Sequence, residues 1–345
     1  MIKHNVRSFP KIAEQTNDIV SLKPRTEAIL PAASLSEPSA ARWLGALAAD
    51  YAIVGLAMAA AYSAFAFAQK SGFAAMPLIG AVVVIVLAVI IIGTRQHAIM
   101  ILAHDGSHGQ VSRNRRLNDL LTNLLSLWPF GVGLSGYRKF HFAHHRYMGT
   151  DADPEYIHKK KSAPAYDLPA TPGHIVRLAL TGLFGEGSDD QIYFIVYVMA
   201  RDNLRDKAAP VLVWGAIGLV LWHFNAWWVA ALWFSALATS FGAVFRLRVW
   251  TEHVGTAGVH RISARWIYRV LFVPHNTWCH FEHHRFPSVP FWNLPKARAL
   301  DTATPVGTLE ALFSSYAGYD VVPSGEIAKG GGRSEGCGLR RRALR

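Results

Sequence analysis

The sequence predicts an all-α integral membrane protein, with four transmembrane helices in two hairpins and a helical cap on the cytoplasmic side. Three observations carry this. Of 345 residues, 51% are hydrophobic and only 17% charged, whereas a soluble domain averages about 25% charged. Long apolar runs occur in two pairs. Lys and Arg fall almost entirely on one side of those runs. Such a composition disfavours a disordered chain, a secreted disulfide scaffold and an ordinary cytosolic enzyme. The two cysteines, Cys279 and Cys337, form no CxxC pair, so no thiolate zinc site or disulfide framework is implied.

Residues 1–45 read as a polar cytoplasmic segment, with no apolar stretch near Met1 of the kind a cleaved signal peptide needs. A membrane domain is expected over 46–310. Its first two spans cover about 47–68 and 77–100. Each is long enough for the roughly 20-residue helix that crosses a bilayer core of about 30 Å. The short connection between them, Gln69 to Met76, makes an antiparallel hairpin. Asp50 is the one charge in the first run, at its entrance. A more polar stretch from Arg95 to Ala209 follows. Within it, His174 to Phe184 and Gln191 to Ala200 read as helices lying in the membrane interface. The second hairpin covers about 210–224 and 226–245. It turns at Phe224-Asn225, where Trp222, Trp227 and Trp228 cluster as interfacial aromatics do. The tail, 311–345, turns glycine- and arginine-rich from Gly330 and is expected to be partly disordered.

The charge distribution sets the orientation. Of 35 Lys and Arg, only Lys70 lies at a turn on the far side. The positive-inside rule then places both termini and the long loop in the cytoplasm. The net charge of +12 is read as a membrane-facing excess, not as a nucleic-acid surface.

The 16 histidines carry the chemistry. All but His223 lie on the cytoplasmic side or in helix ends leading to it. Three clusters stand out: His104-Asp105-Gly106-Ser107-His108, His141-Phe142-Ala143-His144-His145 and His280-Phe281-Glu282-His283-His284. Spacings of three and four put side chains on one helical face. Protonated, such imidazoles would repel; neutral and buried, each needs a partner. A shared cation answers both problems. Eight imidazoles exceed the shell of one ion, so two metals of about four to five nitrogens each fit better. Without a Cys set, a structural zinc site is disfavoured. Iron is the first choice and zinc the second.

The boxes HDGSH, HFAHH and HFEHH, with a hairpin before them and another between, resemble the membrane-bound fatty acid desaturase superfamily. The likeness covers about residues 45 to 300 and includes HHRYMGTDADPE and HHRFPSVPFWNLP after the second and third boxes. It implies a di-iron centre below the cytoplasmic bilayer face and O2-dependent oxidation of a lipid C–H bond. By the resemblance, His104, His108, His141, His144, His145, His280, His283 and His284 are iron ligands, and His253 after the fourth span is the ninth. Some relatives use an Asn one turn before the ninth histidine; Val249 stands there in this chain. His275 and Asn276, ahead of the third box, are expected beside the metals.

Metal-bound imidazoles usually donate their other N–H to a carboxylate or carbonyl. Asp105, Glu252 and Glu282, together with Asp153, are expected to supply such partners, whereas Glu155 reads as a solvated acid. His97, deeper in the second span, reads as a satisfied core histidine, with lining of the substrate path as the alternative. His4, His158, His174 and His260 read as surface residues, and Cys279 as a small packing residue. The basic runs Arg138-Lys139 and Lys159-Lys160-Lys161 read as solvated faces next to lipid headgroups, with docking of an acidic electron carrier, or of an acyl carrier's phosphopantetheine arm or acidic surface, as alternatives.

No segment suits a bound haem, flavin or iron–sulfur cluster. Electrons are therefore expected from a separate ferredoxin or cytochrome-type donor with its NAD(P)H reductase. The expected reaction is fatty acyl desaturation with O2, in a bacterial inner membrane. The alternative is a hydroxylase or ketolase of the same fold acting on a carotenoid, sphingolipid or other lipid. A different-class alternative is a non-redox zinc membrane metalloprotein.

Overall fold

The computed structural model describes residues 32–314, apart from 163–165, 167–170, 255 and 257. The expectations for residues 1–31 and 315–345, including His4, Cys337 and the glycine-rich tail, lie outside the described residues.

Helix α1 (Ala40–Lys70) starts at Ser39, whose side chain caps Arg42 N. It runs back against α2 (Ala75–Ser107) through a turn at 71–74, where Gly72 and Phe73 take positive φ. At about 1.5 Å per residue these helices are roughly 45–50 Å long, more than a bilayer core of about 30 Å needs. Burial along α2 shows how the extra length is used. Its first half exposes Ile79, Val82, Val83, Val86 and Leu87, an apolar surface suited to lipid. From Ile92 to Ser107 every residue except Met100 is buried, and Arg95, Gln96, His97, His104 and Asp105 are among them. One helix thus carries its histidines out of the apolar layer and into the body of the protein. Trp43 on α1 is fully buried and donates from Nε1 to the Leu102 carbonyl at 2.9 Å, fixing the pair lengthwise.

Among the described residues, three helical segments are long and apolar enough to cross a membrane: Ala40–Lys70, Ala75–Ser107 and Trp227–Glu252. The last consists of α9 (Trp227–Ala238) and α10 (Ser240–Glu252), broken at Thr239. The run expected over 210–224 is the C-terminal part of α8 (Leu204–His223), which begins Leu-Arg-Asp-Lys and contains Pro210. The turn between α8 and α9 falls at Phe224-Asn225, as expected, with Asn225 in the left-handed region. Between α2 and α8 lie α3 (Arg115–Thr122), α4 (Leu134–Tyr147), α5 (Pro154–Lys161), α6 (Pro172–Gly182) and α7 (Ser188–Arg201). After α10 come the short helices α11 (Trp266–Leu271), α12 (His280–Arg285), α13 (Leu294–Ala297) and α14 (Thr308–Ser314). Two two-residue parallel strands, Ile262–Ser263 and Val306–Gly307, tie this last region together.

The approach of α10 to α2 is set at Gly93. A Cβ there would lie 2.1 Å from Ser240 Oγ, so no larger residue allows this spacing. Ser240 Oγ in turn donates to the Val89 carbonyl at 2.7 Å. This contact aligns the helix ending at Glu252 with the helix carrying His104.

Candidate metal centre

Four segments deliver the histidines. α2 carries His104 and ends at His108; α4 carries His141, His144 and His145; α12 carries His280, His283 and His284; His253 caps the C-terminus of α10. They sort into two sets whose ligating nitrogens lie within 4.8 Å of one another: His104, His108, His141, His145 and His283, and His144, His253, His280 and His284. All nine residues singled out in the sequence are brought together, each set able to hold a cation.

The ring orientations test whether metals fit. Nε2 atoms meet at 2.8 Å (His108 and His141), 2.9 Å (His141 and His145), 3.0 Å (His145 and His283; His253 and His280) and 3.1 Å (His280 and His284). His104 Nε2 and His144 Nε2 are buried without a hydrogen-bond partner among the described residues. One proton between two nitrogens could satisfy a pair, but not a closed cluster of nine rings. Desolvation by burial, followed by mutual repulsion, holds His141, His280, His283 and His284 well below their ordinary values. His145 falls to about 2. His108 falls to about 3, through burial and then Arg138. Neutral imidazoles with converging lone pairs are what a metal ion requires.

Two of the outward nitrogens are held as those of metal-ligating imidazoles usually are. His144 Nδ1 meets Asp153 Oδ2 at 3.1 Å, and His253 Nδ1 meets the Gly258 carbonyl at 3.3 Å. Asp153 also caps α5, accepting from Glu155 N, so the acid is fixed before it orients the ring. His144 is raised despite desolvation, by the Glu155 charge and then by Asp153. Glu155 is not a solvated acid: it is largely buried, and Lys159, then His144 and His253, hold it well below the carboxylate range against desolvation.

The other expected partners divide. Asp105 Oδ1 lies 3.7 Å from His104 Nδ1, and its Oδ2 accepts from Phe291 N at 2.9 Å. Glu252 pairs with Arg248 at 2.8 Å and approaches His280 Nε2 at 3.5 Å. Glu282 reaches no histidine; it pairs with Arg261 at 2.6 Å and faces Arg298, so its role is to fasten α12 to the neighbouring loops. His275 and Asn276 stand outside both sets. His275 Nε2 pairs with Asp50 at 2.6 Å, and Asn276 bonds the Phe291 carbonyl and Trp278. Both take positive φ, and this sharp turn directs them away from the cluster.

The N-terminus of α4 has no cap of its own. Asp202 accepts from Gly133 N and Gly136 N at 2.9 and 2.6 Å, and Asp206 accepts from Ser135 N at 3.1 Å. Two buried carboxylates at a helix N-terminus match its dipole and satisfy its orphan donors. They set the axial position of the second histidine box from about 65 residues away in sequence.

A cavity adjoins the cluster. His104, His141, His144, His253 and His280 form one wall, and Phe130, Phe140, Leu237, Phe241 and Phe245 form apolar walls. Toward another side lie His158, Tyr166 and Asp190. His158 is therefore not a surface residue: it bonds Asp190 at 2.6 Å and stacks on Tyr193. His97 is not a satisfied core histidine, since neither ring nitrogen has a hydrogen-bond partner among the described residues and the ring lines the cavity. His260 is half-buried and bonds the Val254 carbonyl, His174 is half-buried beside Trp250, and Cys279 is a buried packing residue as expected. Sequence reasoning missed Arg248, whose signal was its position four before Glu252. It also missed Gln191, Asp202 and Asp206, which carried no local signal.

Two histidine groups able to hold cations, at the ends of long apolar helices, define a membrane-bound, metal-dependent class of protein. Residues 80–308 match the family model for fatty acid desaturases, and the chain belongs to that family. It is 26% identical over 249 residues to the dihydrorhizobitoxine desaturase of Bradyrhizobium elkanii, covering 64% of this chain and 68% of that one. It is 29% identical over 221 residues to a β-carotene ketolase of Paracoccus (59% and 76%) and 24% over 213 to the sphingolipid δ(4)-desaturase DES1 of Drosophila melanogaster (60% and 63%). These relatives are oxidoreductases, and the chain is an integral membrane member of their family.

Proposed function

We propose that the protein is an O2-dependent oxidase of a lipid C–H bond, with fatty acyl desaturation to a C=C bond as its reaction. The observation that supports it is the direct opening of an apolar cavity onto the histidine cluster. The five-histidine set would hold one iron and the four-histidine set the other. A nitrogen-rich, thiolate-free donor set suits iron that keeps open positions. When bound and reduced, the iron pair supplies the activation of O2 that breaks an unactivated C–H bond. The chain's own residues hold the lipid against the histidine wall, exclude water, and keep His144 and His253 aimed inward through Asp153 and the Gly258 carbonyl. Asp105 lies behind His104, at Nδ1, whereas Glu252 approaches His280 at Nε2, the nitrogen that faces the other rings.

In the same reading α8 is a fourth membrane helix, since Val211, Leu212, Leu219 and Val220 are exposed. It would form the second hairpin with α9–α10 within a membrane domain of residues 46–310. The termini would face the cytoplasm, and the membrane would be a bacterial inner membrane. Lys139, Lys160 and Lys161 are exposed near the second box, a surface suited to an acidic ferredoxin or cytochrome-type donor fed by an NAD(P)H reductase. The β-carotene ketolase relatives favour a second reading, hydroxylation or ketone formation on a carotenoid or other lipid.

Elemental analysis of anaerobically reconstituted protein, with His144→Ala alongside, tests the metal assignment. About two irons per chain, lost or halved in the variant, are expected. Lipid products formed with a supplied reductase then separate desaturation from hydroxylation. Zinc that persists through iron reconstitution, with no O2 uptake on reduction, would overturn the oxidase reading and leave a non-redox zinc protein.

A further inference from the structure

His97 is 1% exposed, and both its ring nitrogens lack a hydrogen-bond partner among the described residues. Gln191 is 8% exposed, and its side-chain amide nitrogen is likewise buried and unpartnered. Burial of such a group without a partner is costly, because its bonds to water are lost and not replaced. Two in one apolar cavity call for an occupant.

Both line the cavity that opens onto the histidine cluster. Both also abut α10 at neighbouring positions. The His97 ring packs edge-on against Phe241 and Phe245, with centroids 6.3 and 6.4 Å away. The Gln191 amide nitrogen occupies the space where a Cβ on Gly242 would be, 2.3 Å from that point. His97 precedes His104 by two helical turns on the same face of α2. It therefore lies roughly 10 Å further along the helix axis, on the membrane side. The intervening wall is apolar, formed by Met100, Phe130 and Phe241.

We propose that His97 and Gln191 are positioning residues that bind an oxygen function of the substrate, a hydroxyl or a carbonyl. This oxygen would lie about 10 Å beyond the carbon presented to the histidine cluster. Resting on the lipid-oxidation reading above, this narrows the substrate class. The lipid carries a polar group at its buried end as well as at any head group, and that group sets which carbon reaches the histidines. A purely hydrocarbon tail would leave both side chains desolvated and unpaired.

The test is equilibrium binding to the full-length protein in detergent, by competition against a fluorescent fatty acid. The probes are a chain-length series of saturated fatty acids and their ω-hydroxy counterparts. The expected result is a preference of roughly tenfold or more for the ω-hydroxy acid at one chain length. His97→Phe and Gln191→Leu are expected to lose that preference while keeping the affinity for the plain acid, which also shows that they fold. His97→Gln, which keeps a donor and an acceptor, is expected to retain it. Equal affinity for both probes at every length in the wild type, or a preference unchanged in both apolar variants, would overturn the proposal. Failure of either series to bind at all would overturn the lipid reading together with it.

Discussion

His144 and Asp153 are joined through Nδ1 at 3.1 Å, both nearly inaccessible, so that His144 Nε2 is turned into the histidine cluster. The acid is itself fixed by the backbone N–H groups of Gly149 and Glu155. Because this partner sets ring orientation and basicity, Asp153→Ala is expected to weaken metal affinity by about 10–100-fold. Metal retention against a graded chelator checks this.

The two histidines that flank the expected metal region should behave differently. His253 points Nε2 at His280 within the four-histidine set, whereas His275 pairs with Asp50. His253→Ala is expected to lower metal content toward half. His275→Ala is expected to leave the metal content unchanged and to lower thermal stability, because among the described residues it leaves Asp50 with Arg95 alone. Elemental analysis and a melting curve of each purified variant separate these outcomes.

The second histidine box depends on carboxylates outside it. Asp202→Ala strips acceptors from Gly133 N, Gly136 N and Ser135 Oγ. A loss of about 1–3 kcal/mol of stability is expected for the buried donors left behind. The variant should also lose metal, because α4 would no longer be held at its N-terminus. Asp202→Asn, which keeps an acceptor, should lie between the variant and the wild type in both measurements.

Packing at Gly93 sets the distance from α2 to α10. Gly93→Ala places a methyl group against Ser240 and Phe241 N, and overpacking of this kind costs about 1–3 kcal/mol. Adding Ser240→Gly should recover part of the loss, since the close atoms include Ser240 Oγ and Cβ. Melting temperatures of the two single variants and the double variant give the coupling.

Metal-free protein should lose stability in acid. His108 falls from 6.5 to about 3 on folding, and His145 from 6.5 to about 2, with burial the main cause in each. Between pH 6.5 and about 3 the unfolded chain therefore binds protons that the folded chain refuses. Stability is full above pH 6.5 and falls as pH drops through that window. Denaturant midpoints of chelated protein across this range check the sign, and replacing both residues by Ala should flatten the dependence.

The histidine boxes were legible because their chemistry is local: spacing of three and four on a helix places rings on one face before any tertiary contact forms. Three long apolar helices were legible for a similar reason, since an apolar run of some twenty residues has few alternatives in water. The turn at Phe224-Asn225 was equally local. What tertiary structure decided was pairing at a distance. His141, His145 and His144 are close neighbours on α4, yet they divide between two metal sets, and nothing in HFAHH states which ring goes where. Glu282 sits inside a box but bonds Arg261, while Asp153 and Glu155, eight and more residues past their box, reach His144. His97 and Gln191 lie 94 positions apart and carry no motif, yet they share one cavity. Spacing within a helix fixes a face and a direction; which partners meet there depends on how helices pack, and that is a property of the whole chain.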